Sequence, residues 1–342
     1  MKARSAIAIT VAALGIFVAV AGATPIKWVS VELGTHRFGR LQAPNAVVAQ
    51  ARPTEVGFKK GGGCGCLDGP QGPMLFDVGR NGSIYLLDVL NHRMLVWERG
   101  RPARPSRTLE LKGLDVRNFA VGSDGTVYLY AVYAEPPAGD SGAELWALSP
   151  EGKVRWRAHA RVGNALRMGP DGALYTVGAF RRSWTPLTNR AGRPLSLAAQ
   201  HRRSVPFQPL ADRSHLIASQ IGAHEVHFAL VDRSHRVVRA WRVRSRSRLT
   251  LDQRVFTPAQ VGADLVVELD VSRSSKVERQ VLRLTTSGAG ARLALDAGAV
   301  WGDDGTGPIT ALRVGPDGRL YQLRTNPRSG VSIVRYSLRP GT

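Results

Sequence analysis

The stretch Leu75-Phe76-Asp77-Val78-Gly79-Arg80-Asn81-Gly82-Ser83-Ile84-Tyr85 decides the fold. Short apolar runs flank an Asn-Gly pair. Asn-Gly supplies the left-handed φ values of a tight β-hairpin, so the segment reads as strand, turn, strand. The same pattern recurs at Phe119–Tyr128 around Asp124-Gly125, at Leu166–Tyr175 around Asp171-Gly172 and at Leu312–Tyr321 around Asp317-Gly318. Two weaker copies fill the long gap that follows Gly172. Phe207 precedes Asp212 by the spacing of Phe119 and Asp124, and Phe256 precedes Gly262 by the spacing of Phe119 and Gly125. Gly82 and Gly318 lie 236 positions apart. Six copies are therefore spaced by about 47 residues, inside the roughly 40–50 of a four-stranded propeller blade.

The expected fold is all-β: a six-bladed β-propeller of four-stranded antiparallel blades. Blade one is placed at strands 75–79, 83–88, 93–98 and 106–112. The last blade is placed at 309–314, 319–325 and 331–338, one strand short. An open ring would expose a long unpaired edge. A strand from the N-terminal segment 26–52, either Val29–Leu33 or Val47–Ala49, is therefore expected to close it.

Of 342 residues, 47 are Lys or Arg and 26 are Asp or Glu, a formal net charge of +21. Such a balance excludes an acidic cytosolic enzyme. A composition 43% hydrophobic can fill a large core, as two ordinary domains or one repeat domain. Lys2 and Arg4 precede an uncharged run, Ser5–Ala23, that ends in Ala21-Gly22-Ala23. This is the form of a secretory signal, and the run is long enough to serve instead as a retained anchor. The chain divides into residues 1–23, signal or anchor; 24–70, with the closing strand and a Gly/Cys loop; and 71–342, the propeller. The protein is expected outside the cytoplasm, secreted or anchored by its N-terminal segment.

The two cysteines, Cys64 and Cys66, lie in Gly61-Gly62-Gly63-Cys64-Gly65-Cys66. A short disulfide across Gly65, a soft-metal or redox thiol pair and free thiols are the three readings of this loop. His224 and His227 in His224-Glu225-Val226-His227 are spaced i and i+3, which in a strand places them on opposite faces. Trp301-Gly302-Asp303-Asp304-Gly305 lies on the loop into the last inner strand, where Trp301, Asp303 and Asp304 could line the axial mouth. No nucleophile elbow and no phosphate-binding Walker loop occurs, and no cofactor is called for.

In blade one, Asp88 is followed by Asn91-His92-Arg93 and the apolar run Met94–Trp97. This resembles an NHL repeat. The resemblance implies a propeller whose Asp88 and Asn91 bond the turn backbone, with Arg93 paired to a neighbouring carboxylate. Six-bladed lactonases of the gluconolactonase family are more distantly similar. That likeness implies one divalent metal held by a Glu in a Glu-Gly-Pro start and by Asn or Asp residues on inner strands. Here the Glu position reads Gln71-Gly72-Pro73. Asn164 and Asn118 stand near the Asn positions, and no Asp fits the ligand position in blade five. A set so short of carboxylates holds hard cations poorly.

Charge is also clustered. Arg242, Arg244, Arg246 and Arg248 would share one face of a single strand, if it persists, at about 7 Å steps, and could bind a polyanion. The opposing reading is a solvated blade edge whose charge prevents edge pairing. Together these readings lead to an exported binding module whose partner is a protein, a glycan or an anionic surface. Nucleic acid is an improbable partner, and a membrane is met only through the N-terminal segment. The alternative is a metal-dependent, lactonase-like hydrolase with an altered metal site.

Overall fold

Each Asn-Gly or Asp-Gly pair sits in one repeated turn. In the first copy the Gly79 N–H donates to the Ser83 carbonyl (2.8 Å) and the Gly82 N–H to the Gly79 carbonyl (2.8 Å). Only the glycine is left-handed, with φ of 82° at Gly82, 80° at Gly125, 82° at Gly172 and 69° at Gly318. The geometry is a type I turn followed by a left-handed residue, so the glycine alone, and not the Asn-Gly or Asp-Gly pair, supplies the left-handed φ expected of the hairpin. The acidic or amide residue has a separate role, since its side-chain oxygen accepts the N–H two positions on. Asn81 accepts from Ser83 (3.0 Å), Asp124 from Thr126 (3.0 Å) and Asp171 from Ala173 (3.1 Å). In the weak fourth copy Asp212 accepts from Ser214, and Arg213 occupies the glycine position at φ 66°.

The structure, a computed structural model, describes residues 26–59, 71–133, 143–160, 162–163, 165–177, 183–234, 236–251, 258–302 and 310–338. Two strands precede the blades, β1 (Trp28–Glu32) and β2 (Ala46–Ala51). Blade one is β3 (Leu75–Val78), β4 (Ile84–Asp88), β5 (Arg93–Trp97) and β6 (Arg107–Glu110). Blade two is β7 (Leu114–Val121), β8 (Val127–Tyr133), β9 (Ala143–Leu148) and β10 (Val154–Ala158). Among the described residues blade three has three strands, β11 (Ala165–Met168), β12 (Leu174–Val177) and β13 (Trp184–Pro186). A six-residue helix, α1 (Leu197–Arg202), follows it. Blade four is β14 (Gln208–Pro209), β15 (His215–Gly222), β16 (Glu225–Val231) and β17 (Val237–Arg244). In blade five, β18 (Arg248–Thr250) and β19 (Ala259–Val261) share the inner edge of β20 (Asp264–Arg273), followed by β21 (Lys276–Thr285) and β22 (Gly288–Asp296). Blade six is β23 (Leu312–Val314), β24 (Leu320–Asn326) and β25 (Gly330–Tyr336).

β2 closes the ring as expected, antiparallel to β25, with Val47 opposite Val334 and Ala51 opposite Val331. The other candidate has a separate use. β1 adds to blade four in parallel, Trp28 opposite Ala240 and Glu32 opposite Arg244, so that blade has five strands. Most blades are four-stranded as expected: blade four adds β1 to its own four, blade five divides its innermost strand into β18 and β19, and blade three shows three strands among the described residues. The N-terminal segment thus supplies the strand missing from blade six and covers the outer edge of the already four-stranded blade four.

The core lies between blades. Along β4, Ile84 and Leu86 pack with blades five and six, while Tyr85 and Leu87 pack with blade two. A strand buried on both faces reads as a continuous apolar run, which is why Ile84-Tyr85-Leu86-Leu87 shows no alternation.

The Asp-Asn-His-Arg unit of blade one is a clamp. Fully buried Asp88 accepts from Asn91 Nδ2 (2.8 Å), Arg93 Nε (3.0 Å) and the Gly57 N–H (3.0 Å). Arg93 also donates to the Glu55 carbonyl (2.5 Å), and His92 turns the chain at φ 48°. The carboxylate partner of Arg93 is thus Asp88 itself, and the unit ties residues 55–57 to the blade.

Candidate functional site

The first strand of each blade lines the propeller axis, and side chains stitch neighbouring first strands together. Asp77 on β3 accepts the Val121 N–H of β7 (3.0 Å) and pairs with Arg313 Nε of β23 (3.2 Å), joining blades six, one and two. Asn118, buried on β7, accepts the Leu166 N–H of β11 (3.2 Å). Gln208 donates from Nε2 to the Pro258 carbonyl (2.5 Å), between blades four and five.

The residues singled out for an axial pocket are thus distributed. Gln71 forms an isolated bridge with Lys59. Its neighbour Gly72 lies against Phe58 and Trp301: a Cβ there would stand 2.9 Å from Phe58 Cδ1 and 3.5 Å from Trp301 Cδ1. Trp301 donates its backbone N–H to Thr325 Oγ1 (2.6 Å). Gln71 and Trp301 are therefore on neighbouring segments, and Asn118 is engaged elsewhere, between blades two and three. Asn164, Asp303, Asp304, Cys64 and Cys66 lie outside the described residues, as does the whole of 1–23. Among the described residues no three His, Cys, Asp or Glu side chains are grouped to hold a metal ion.

The arginine series meets a different arrangement. β17 stops at Arg244, so the condition for a four-arginine face is not met. The chain bends where Ser245 Oγ and the Arg246 N–H both donate to the Gly34 carbonyl (2.9 and 2.8 Å). Arg248 already belongs to β18 of the next blade. Arg242 and Arg244 do share a face, and there Glu225 serves both. Arg244 Nε donates to Oε2 (3.0 Å), and Arg242 Nε lies 3.5 Å from Oε1. His227 Nε2 lies 2.5 Å from the same Oε1, with the Trp28 ring centred 4.4 Å from the imidazole at a 43° tilt and the Arg242 guanidinium 5.4 Å from the Trp28 ring.

Burial favours protonated Glu225, but the His227 and Arg244 hydrogen bonds outweigh it and hold the carboxyl below its ordinary range. Burial also lowers His227, against the opposing pull of Glu225. The imidazole is therefore neutral near pH 7 and donates to the carboxylate. His224 sits in the preceding turn near the Ser247 carbonyl (3.1 Å), so the two histidines do not converge. Beside this cluster opens a cleft of about 770 Å³ lined by Glu32, Glu225, Arg244, Arg246 and His224. Its charges are largely balanced.

A second arginine concentration lies where blade six meets blade one. Arg80, Arg99 and Arg335 line a hollow of about 490 Å³ together with Asp317 and Tyr321. An adjoining hollow of about 260 Å³ shares Arg99 and Asp317 and adds Arg283 and Arg319. Sequence reasoning missed this group because its members are scattered from position 80 to 335, and each alone reads as a solvated charge. The repeat period was the available signal: Arg80 and Pro316 are the second residues of equivalent turns, and ring closure makes those turns neighbours.

No protein-family model matches the chain, and no curated protein matches its sequence. Solved structures similar to it include a virginiamycin B lyase from Staphylococcus aureus, 14% identical over 77% of this chain and 94% of that one, TM-score 0.39. A calcium-binding protein, regucalcin, from Agrobacterium tumefaciens is 15% identical over 58% of this chain and 81% of that one, TM-score 0.30. An auxiliary nutrient binding protein from Bacteroides ovatus is 10% identical over 85% of this chain and 76% of that one, TM-score 0.39. These likenesses carry no residue and no reaction over to this chain.

Proposed function

We propose that the protein is an exported propeller that binds an acidic partner, a glycan, protein or anionic surface, through its cationic field. Export rests on Lys2, Arg4 and the apolar run closed by Ala21-Gly22-Ala23. One observation carries the binding reading. With 47 cations against 26 anions, and 45 against 26 once Lys2 and Arg4 are set aside with residues 1–23, the outward-facing part keeps a surplus of at least 19 positive charges however the pairs are drawn. The carboxylates are moreover spent locally: Asp88 on Arg93, Asp77 on Arg313, Asp264 on Arg283, and Glu225 on two arginines at once. The surplus is left to the surface, where it raises the local concentration of anions and speeds their association.

Retention on immobilised heparin tests this reading. The chain is expected to stay bound above about 0.15 M salt, where the screening length is about 8 Å. Replacing Arg242, Arg244, Arg246 and Arg248 by Ser should shift elution no more than replacing the exposed Arg37, Arg40, Arg104 and Arg273. A parent chain that passes through at physiological salt would overturn the reading. A larger shift for the clustered set would instead restore a localised stripe at blade four.

A further inference from the structure

We infer that the hollow between the last and first blades is a specific site for a compact multivalent oxyanion, one that carries several phosphate or sulfate groups on a small frame. The inference rests on the acidic-partner reading and gives it a location. Arg80 and Arg99 come from two turns of blade one, and Arg335 from β25, so closure of the ring is what assembles them. The space, about 490 Å³, has the size of a small-molecule pocket and not of a flat surface.

Asp317, the one carboxylate lining the hollow among the described residues, does not cancel these charges. Asp317 belongs to its own turn: Oδ1 accepts the Arg319 N–H (3.1 Å) and Oδ2 accepts the Tyr321 hydroxyl (3.0 Å). The nearest cation to it in an ion pair is Arg319, at 4.0 Å. Arg80 and Arg99 have no carboxylate within 4 Å among the described residues. Arg335 stands opposite Tyr321 across the strands, which sets its side chain on the wall of the hollow. Three guanidinium forks on three segments suit phosphate or sulfate oxygens, which accept bidentate pairs from several sides. The blade-four cleft differs, because there Glu225 and Glu32 answer the arginines.

Phosphate and sulfate sources are separated by two probes, inositol hexakisphosphate and sucrose octasulfate, titrated calorimetrically into the full chain at 0.15 M NaCl. At least one should bind at a single site with micromolar Kd. Arg80→Gln with Arg99→Gln, both exposed positions, should weaken it at least tenfold; Arg335→Gln should weaken it similarly, with circular dichroism and melting temperature checking its fold. The Arg242, Arg244, Arg246 and Arg248 variant should change it less than twofold. Binding that survives loss of Arg80 and Arg99 overturns the hollow as the site. Absence of binding by both probes, with heparin retention intact, overturns the hollow and leaves the acidic-partner reading standing. Loss of both probe binding and retention overturns the two together.

Discussion

Replacing Gly330 by alanine tests the ring closure directly. Gly330 opens β25 with φ of 84°, and an added Cβ would stand 2.9 Å from the Arg52 carbonyl carbon and the Pro53 nitrogen, and closer still to the Ala51 carbonyl oxygen. All three are backbone atoms at the end of β2, so no side chain can rotate away. Left-handed backbone costs a non-glycine residue about 1–2 kcal/mol, and overpacking against an immovable neighbour adds about 1–3 kcal/mol. The sum is about 2–5 kcal/mol. Gly100 is the control: its φ is 83°, and nothing lies within 4 Å of an added Cβ. Gly100→Ala should therefore cost the backbone contribution alone, about 1–2 kcal/mol. With an unfolding entropy of about 2.1 cal/mol/K per residue over roughly 300 ordered residues, 1 kcal/mol moves the midpoint by about 1.6 °C. Scanning calorimetry should then show a fall of about 3–8 °C for Gly330→Ala and about 2–3 °C for Gly100→Ala. Limited proteolysis should also cut near β2 faster in the first variant only. Equal melting losses with unchanged proteolysis would refute the placement of β2 against β25.

Two further outcomes follow from the turns and the clamp. Burial, with the neighbouring Asp171 or Asp317, pushes the phenols of Tyr175 and Tyr321 up to about 12. The folded state keeps protons that the unfolded chain releases near pH 10, so this stabilisation is complete below 10 and is lost as pH rises through 10 towards 12. Phenolate absorbance at high pH should show late-titrating tyrosines among the seven in the sequence. Asp317→Asn, which keeps the turn as Asn81 does, should bring Tyr321 down; seven tyrosines all titrating near 10 would refute the assignment. Asp88→Asn should cost about 2–4 kcal/mol, because it leaves the half-buried Arg93 without its anion. Faster proteolysis should accompany that loss within 52–59, and a variant as stable as the parent, equally resistant there, would remove the clamp.

Several elements were legible because a single local cause sets them. The Asn81-Gly82, Asp124-Gly125, Asp171-Gly172 and Asp317-Gly318 pairs mark hairpins, since the side-chain oxygen and the glycine act within five residues. The turn subtype was not legible, because Asn-Gly suits both a two-residue turn and a type I turn with a left-handed glycine. The first glycine of the turn has a packing reason of its own: at Gly169 and Gly315 an added Cβ would meet a ring carbon of Tyr175 or Tyr321, at 2.7 Å and 2.5 Å. The NHL pattern made Asp88, Asn91 and Arg93 legible as one unit, though it gave Asp88 and Asn91 to the turn backbone and Arg93 to a neighbouring carboxylate, not to one another. Their use in holding Glu55 and Gly57 was not legible, because that segment carries no repeat signal.

What the sequence by itself determined is the number of blades, the hairpin in most of them and the need for an N-terminal strand at blade six. These follow from period, turn chemistry and the cost of an open edge, all of which are local or additive along the chain. Tertiary structure alone decided that β1 seals blade four, that blade three shows three strands among the described residues, and that Glu225 is shared by Arg242 and Arg244. It also decided that Arg80, Arg99 and Arg335 face one hollow. Each of these is a meeting of residues from distant positions, set by how a closed ring brings its first and last blades together, and a one-dimensional pattern carries no record of which solvated arginines become neighbours across that seam.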